Sequence, residues 1–453
     1  MASFFSINPF TQEVLGEFPT DNAAAIEQKL QIAEKAFEKW RKVPISERAS
    51  LFLNLAGVLE REKETLARTI TLEMGKVIKE ARAEIEKCIL LCHYYAKNAE
   101  IQLSPEVIFS NYSKSYVVFQ PLGAVLAIMP WNFPFWQAMR FAVPALMAGN
   151  VGLLKHAPNV PQCAQLIERA FLKANFPEGV FQNVFAEVEN IESIIAHRTV
   201  QAVTLTGSEK AGSAVASLAG KYLKKSVMEL GGSDAFVVLE DADLPYTIKN
   251  ARLSRMLNNG QSCIAAKRFI VLESVYEEFL EGLEESFAEL CFANPLEEKS
   301  DYACLARPDL AEKLAMQVQQ SVAMGAELIT GDAKAHNTIF QPTILANVSP
   351  TMPVFVEETF GPVAAVIKVK NQQEAIDLAN LSAYGLGASV WSRDTGRAEK
   401  IALELQVGTC SINTIVKSSP ELPFGGIKNS GYGRELSMAG IREFVNWKTL
   451  NDA

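Results

Sequence analysis

Apolar residues recur at helical spacing among Glu, Lys and Arg from Asp21 to about Trp40, and again from Ser46 to about Asn98. The pattern predicts long surface helices, with Asp21 or Ser46 as N-caps. Ahead of them, Asn8-Pro9-Phe10-Thr11-Gln12-Glu13-Val14-Leu15 reads as a turn into a short strand. No chemistry is identifiable in this helical N-terminal part. Between about 111 and 128 the period changes to two, over 113–120 and 123–128. From there to about 225, short apolar runs at 151–154 and 202–206 alternate with helices predicted over 160–174 and 209–219. Such alternation predicts a parallel sheet with crossover helices. A second α/β stretch begins near Leu230: strands at 235–239 and 269–272, helices over about 243–258 and 274–290, and later strands at 364–369 and 387–391. From Pro423 the chain is glycine-rich, then helical over about 436–444, and ends in a short strand.

At 453 residues the chain exceeds one ordinary core, so two or three domains are expected. Hydrophobic residues at 49% with 21% charged describe a soluble globular protein. The region 122–154 is strongly apolar, but Pro130, Asn132, Pro134, Gln137, Arg140 and Pro144 interrupt it, so it is no membrane span. A net charge of −9 without a basic run excludes a nucleic-acid partner. Seven cysteines without a CxxC spacing fit a reducing compartment. Cys88 and Cys92 stand four apart before His93, which reads as a core-facing helix stripe in preference to a metal pair. The four histidines form no cluster at zinc spacing, so no metal is expected. The N-terminus lacks a signal peptide's basic and apolar regions, and a cytoplasmic setting is expected.

Candidate chemistry centres on Asn258-Asn259-Gly260-Gln261-Ser262-Cys263, a polar, glycine-bearing loop ahead of a buried strand. A thiol in such a loop can be reached by a small molecule and held partly as thiolate. Thr206-Gly207-Ser208 follows a strand and opens a helix, where free N–H groups suit a phosphate, although on these residues alone a plain strand-to-helix turn is the stronger reading. Glu229 precedes Gly231-Gly232. It stands about 20 residues beyond Gly207, where a ribose-binding acid would stand, and could instead be a general base or an exposed strand end. Asn132, within Pro130-Trp131-Asn132-Phe133-Pro134, could donate to an oxyanion or merely bond its own turn.

Together these stretches resemble the aldehyde dehydrogenase superfamily, whose signatures stand here in the family's order over almost the whole chain. They are PWNFP at 130–134, KHA at 155–157, TGSEKAG at 206–212, MELGG at 228–232, GQSC at 260–263, EETFGPV at 357–363, YGLGASV at 384–390 and PFGGIKNSGYGRE at 423–435. The resemblance implies an α/β fold: a Rossmann-like cofactor domain over 1–110 and 122–229, a catalytic α/β domain over 230–418, and a small β bridging arm over 111–121 and 419–453. Through that arm the family forms dimers and tetramers, so a homodimer or homotetramer is expected.

By the same resemblance, Cys263 is the nucleophile that adds to an aldehyde to give a thiohemiacetal, and the Asn132 side chain with the Cys263 N–H forms the oxyanion hole. Hydride then passes to the nicotinamide, and Glu229 activates the water that hydrolyses the thioester. Lys155 contacts the adenosine ribose, Gly207 and Ser208 the pyrophosphate, and Glu358 and Phe360 the nicotinamide end, with Trp131 lining the groove. Glu435 is expected in a proton relay. Where NAD-preferring members often carry an acid, this chain has Pro158. That removes the bar to a 2′-phosphate without adding a donor, so NAD is expected, with NADP tolerated.

Arg140 stands where the similar succinate-semialdehyde dehydrogenases carry an arginine that grips the substrate carboxylate, and Ser418-Ser419 also resembles that subgroup. A second arginine found in some members is Leu257 here, and pairing of Arg140 with an internal carboxylate is the alternative. The expected reaction is NAD(P)-dependent oxidation of an aldehyde, foremost succinate semialdehyde, to its acid. Its rivals are another aliphatic or aromatic aldehyde, a non-catalytic protein that kept the fold, and a cysteine hydrolase, which would want a histidine beside the thiol.

Overall fold

The structure, a computed structural model, describes residues 2–452. Two α/β units each surround a sheet. In the first, six strands run in the order Gly431–Tyr432, Lys225–Glu229, Val200–Thr206, Ala124–Met129, Val151–His156, Phe181–Asn183. All pairs are parallel except the one made by Gly431–Tyr432. The central strands are buried on both faces, as expected where crossover helices cover a parallel sheet. In the second, seven strands run in the order Glu327–Thr330, Thr343–Ala346, Val363–Val369, Ala266–Leu272, Asp234–Val238, Gly387–Trp391, Thr409–Ile412, parallel except at the Glu327–Thr330 edge. The expected α/β class is the observed one.

The expected helix from Ser46 to Asn98 is two, Ile45–Met74 and Ile78–Gln102, which pack against each other. Gly75 separates them at φ 77°, a left-handed cap where a side chain would also meet Cys304. Neither expected N-cap serves. The Asn22 side chain caps helix Ala23–Trp40 by accepting the Ala25 N–H at 2.9 Å. Asp21 is held instead by Lys29 at 2.5 Å and the Phe185 N–H at 2.8 Å. Ser46 lies inside its helix, behind Pro44. The 436–444 helix is shorter than expected, Ser437–Ile441. Helix Pro308–Ala323, absent from the sequence reading, forms one wall of the site described below.

Val445–Asp452 pairs antiparallel with Lys114–Pro121, and Glu106–Val107 lies on the other edge of that strand. The remainder of the 419–453 stretch goes elsewhere. Ile427–Lys428 pairs with Tyr384–Gly385, and Gly431–Tyr432 joins the first sheet beside Glu229. Among the described residues no helix is long and apolar enough to cross a membrane. Cys88 and Cys92 are fully buried on their helix, whereas His93 faces outward.

Candidate active site

Cys263 sits on a loop held almost entirely by buried polar side chains. Asn258 and Asn259 adopt positive φ of 56° and 54°, a region Asn tolerates. The Asn258 amide donates to the Asn132 and Gln261 carbonyls at 2.7 and 3.0 Å. The Asn259 amide donates to the Gly75 and Cys304 carbonyls at 3.1 and 2.9 Å. At Gly260, φ 75°, any side chain would collide with the Gly361 backbone. Arg255 donates to the Gly260 carbonyl at 2.6 Å. Lys267, fully buried, donates to the carbonyls of Ser262, Cys263 and Ala265 at 3.0, 2.7 and 3.2 Å. The loop then feeds the middle strand of the seven-stranded sheet, Ala266–Leu272. The thiol is therefore presented by a rigid frame, which suits a nucleophile better than an exposed flexible tip.

Two cavities meet at Cys263, which lines both together with Gln137. The first, about 350 Å³, is bordered by Trp131, Asn132, Gly207, Ser208, Glu358 and Phe360, with Lys313 and Gln317 from helix Pro308–Ala323 opposite. Gly207 and Ser208 follow the carboxyl end of strand Val200–Thr206, where ligands bind in open parallel sheets. Ser208 caps helix Glu209–Lys221, so the helix N-terminus borders the cavity. Trp131 and Phe360 meet edge to face at 5.7 Å as an apolar wall. A carboxylate, an apolar wall and a helix N-terminus in one groove fit a dinucleotide. Lys155 is buried near the end of its strand but borders neither cavity, and Pro158 is exposed.

The second cavity, about 310 Å³, is mostly apolar: Phe133, Trp136, Leu257, Ile264, Val416 and Phe424 line it, with Arg140, Lys87 and Ser418. Here the structure departs from the sequence reading twice. The N-terminal helices, expected to carry no chemistry, supply Glu80, Glu84 and Lys87 to the wall. Ser419 turns away, its hydroxyl held by Glu421, and Ser418 one residue earlier faces the cavity. Glu84 is fully engaged by Lys76 and by the N–H groups of Phe135 and Trp136 at 2.8 and 2.9 Å. Glu80 accepts the Asn258 N–H at 2.9 Å, and burial pushes its carboxyl up to about 7.

Arg140 is 2% exposed and pairs internally, the alternative weighed from sequence. Its Nε contacts Glu435, its Nη2 stands 3.8 Å from Glu229, and its guanidinium lies 4.7 Å from the Phe424 ring centre. Glu229 ends strand Lys225–Glu229 and borders neither cavity. One of its oxygens has no hydrogen-bond partner. Burial pushes the Glu229 carboxyl well above the ordinary range, the Arg140 charge partly offsets this, and neighbouring Glu435 adds to the rise. Glu435 is raised too, again by burial against Arg140. The two acids and one cation form a buried triad whose charges depend on one another.

Burial opposes the partial thiolate expected from the loop. Desolvation between the two cavities pushes the Cys263 thiol up to about 12, against the pull of Arg140 and Lys267. An ordinary thiol titrates near 8.5, so attack here requires a base. The Asn132 amide gives one N–H to the Gln261 carbonyl at 3.1 Å and keeps a second for another acceptor.

The aldehyde dehydrogenase family model matches residues 2–450. A probable NADP(+) succinate-semialdehyde dehydrogenase of Synechocystis sp. is 47% identical over 98% of both chains. An NAD(P)+ succinate semialdehyde dehydrogenase of Escherichia coli is 43% identical over 98% of this chain and 97% of its own. The succinic semialdehyde dehydrogenase of Streptococcus pyogenes, solved with NADP+, superposes at a TM-score of 0.97 with 37% identity, over 99% of each chain. With its motifs in order and its thiol between two cavities, the chain belongs to the aldehyde dehydrogenase family.

Proposed function

We propose that the chain oxidises succinate semialdehyde to succinate, using NADP as well as NAD. The observation that carries the reading is the position of Cys263, which lines both a groove that fits a dinucleotide and an apolar cavity lined also by Lys87 and Arg140. The similarity to succinate-semialdehyde dehydrogenases supports the substrate, and the NADP(+) of the Synechocystis and Streptococcus enzymes, with the NAD(P)+ of the Escherichia coli one, supports NADP use beyond the NAD expected from sequence. Pro158 leaves that choice open, because no carboxylate stands there to repel a 2′-phosphate.

In this reading Glu229, swung toward the cavity, takes the Cys263 Sγ proton and passes it on to solvent, and the thiolate bonds to the aldehyde carbon. The carbonyl oxygen takes its negative charge toward the free Asn132 N–H and the Cys263 backbone N–H. A bound nicotinamide dinucleotide would supply the hydride acceptor, with Glu358 and Phe360 holding its nicotinamide end, Gly207 and Ser208 its pyrophosphate, Trp131 lining the groove and Lys155 toward the adenosine ribose. The acyl group is then a thioester on Cys263. Glu229, rotated from its place beside Arg140, takes a proton from water, which attacks the acyl carbon as the thiolate leaves. Its raised affinity for protons suits it to that step near neutral pH. Glu435 receives Arg140 and through it the proton balance of Glu229. The exposed arm residues Val107, Ile108 and Phe109 support docking to a second copy, as a homodimer or homotetramer. Seven free thiols suit a reducing, cytoplasmic setting.

Reduced-cofactor formation with an aldehyde panel tests the reading. Succinate semialdehyde should be turned over with higher kcat/KM than butanal, and Cys263→Ala should abolish both. Steady turnover by Cys263→Ala would remove the nucleophile from this account.

A further inference from the structure

The cation best placed to meet an incoming carboxylate is one the motifs do not contain. Lys87 projects from helix Ile78–Gln102 to stand 4.1 Å from the Trp136 ring centre, and it donates to the Ser418 hydroxyl at 2.7 Å. Among the described residues no carboxylate lies within ion-pair distance of it; its direct partners are a ring face and a neutral oxygen, with Glu84, already engaged elsewhere, acting only at longer range. Arg140, the other buried cation of this cavity, already faces Glu435 and Glu229. Lys87 and Ser418 also line an outer bowl with His93, Tyr94, Lys97 and Glu421. They thus stand at the neck between solvent and the cavity that ends at Cys263.

A half-buried ammonium without a counter-ion is costly unless an anion arrives. A linear aldehyde that enters this neck with its carbonyl at Cys263 trails its other end toward Lys87. We propose that Lys87 is the specificity-determining residue of this cavity, its ammonium and the Ser418 hydroxyl receiving the far carboxylate of an ω-carboxylated aldehyde. The proposal rests on the succinate-semialdehyde reading above and names the group that enforces it.

The groups that face Lys87 are Glu80, Glu84 and Cys88 on its own helix, Arg140 on helix Pro134–Met147, Cys263 on its loop, and Lys417. On the outer side are His93, Tyr94, Lys97 and Glu421. Desolvation, and then repulsion from Arg140, bring the ammonium down to about 8. It is charged below that pH and neutral above it. The preference for the carboxylated aldehyde should therefore be full below about pH 8 and fade above it.

The test compares kcat/KM for succinate semialdehyde and butanal in wild type, Lys87→Met and Lys87→Arg, across pH. Lys87→Met should lower the succinate semialdehyde to butanal ratio by about 10- to 100-fold, mainly through KM, as loss of a charge-assisted hydrogen bond does. Lys87→Arg should keep most of the ratio, and the fade with pH should vanish in Lys87→Met. A wild type without preference would sink the substrate reading and this proposal with it. A wild-type preference that survives in Lys87→Met would sink the proposal alone. Equal loss of both substrates in a normally folded variant would make Lys87 a structural group and overturn it as well.

Discussion

At the scale of single residues, the structure turns on charges that have to be shared. Arg140 serves two carboxylates at once, and this separates it from Lys87. Replacing Arg140 by Met removes the cation that holds the Glu229 affinity for protons down. Glu229 would then keep its proton to higher pH, and the rising limb of kcat against pH should move upward by about one unit or more. Succinate semialdehyde and butanal should fall together. A variant whose limb stays in place would show that Arg140 does not act on the base. Cys263, Glu229 and Asn132 could be singled out in the sequence because each lies inside a short contiguous motif; the fold brings Cys263 and Asn132 to one cavity, while Glu229 lies beside Arg140 outside both. The Arg140–Glu435 contact could not be read from sequence, since its partners lie far apart along the chain. Lys87 was hidden for another reason: on an amphipathic helix rich in Lys and Glu, nothing distinguishes a lysine that faces a cavity from one that faces water.

At the scale of elements, one helix organises the substrate side. Helix Ile78–Gln102 carries Glu84, which joins Lys76 to the first turn of helix Pro134–Met147 through two backbone N–H groups. A carboxylate at a helix N-terminus is favourable, and here it is also the counter-ion of a fully buried ammonium. Glu84→Gln should therefore destabilise the protein by about 3–5 kcal/mol, the usual result of leaving one buried charge alone. Denaturant unfolding measures this, and a change below about 1 kcal/mol would mean Lys76 finds another partner. Elements with a clear period, such as Glu209–Lys221 and Val200–Thr206, fell within a few residues of the sequence reading. The break at Gly75 escaped it, because the apolar stripe runs on across the gap and only the left-handed cap interrupts the helix.

At the scale of the molecule, the loops at the carboxyl ends of the first sheet's strands are where cofactor preference can be tested. The exposed Pro158 lies beyond strand Val151–His156, on the side of the first sheet from which a nucleotide's ribose would be reached. Pro158→Glu should weaken NADP far more than NAD, because a carboxylate repels a 2′-phosphate. The comparison of kcat/KM for the two cofactors decides it, and equal losses would place residue 158 away from the ribose. The α/β class and the order of the motifs followed from local patterns. The division of the C-terminal stretch did not: its short pairings at 427–428 and 431–432 depend on which strand edges lie open in the assembled fold.

Those last pairings bear on how the protein is made. Strand Lys225–Glu229 gains its outer neighbour only from Gly431–Tyr432, and Arg140 gains Glu435 only from the same stretch. Both are translated well after the strand and the arginine they meet, whereas domains fold from the N-terminus as they emerge. A nascent or prematurely terminated chain would hold a buried guanidinium facing Glu229 alone, beside an open sheet edge. Such a fragment has Cys263 and the Gly207 turn but not the complete Arg140–Glu229–Glu435 triad, and its bare edge invites pairing with other chains. Completion of the triad, and of the sheet edge beside it, thus waits on residues made long after the strand and the arginine they join.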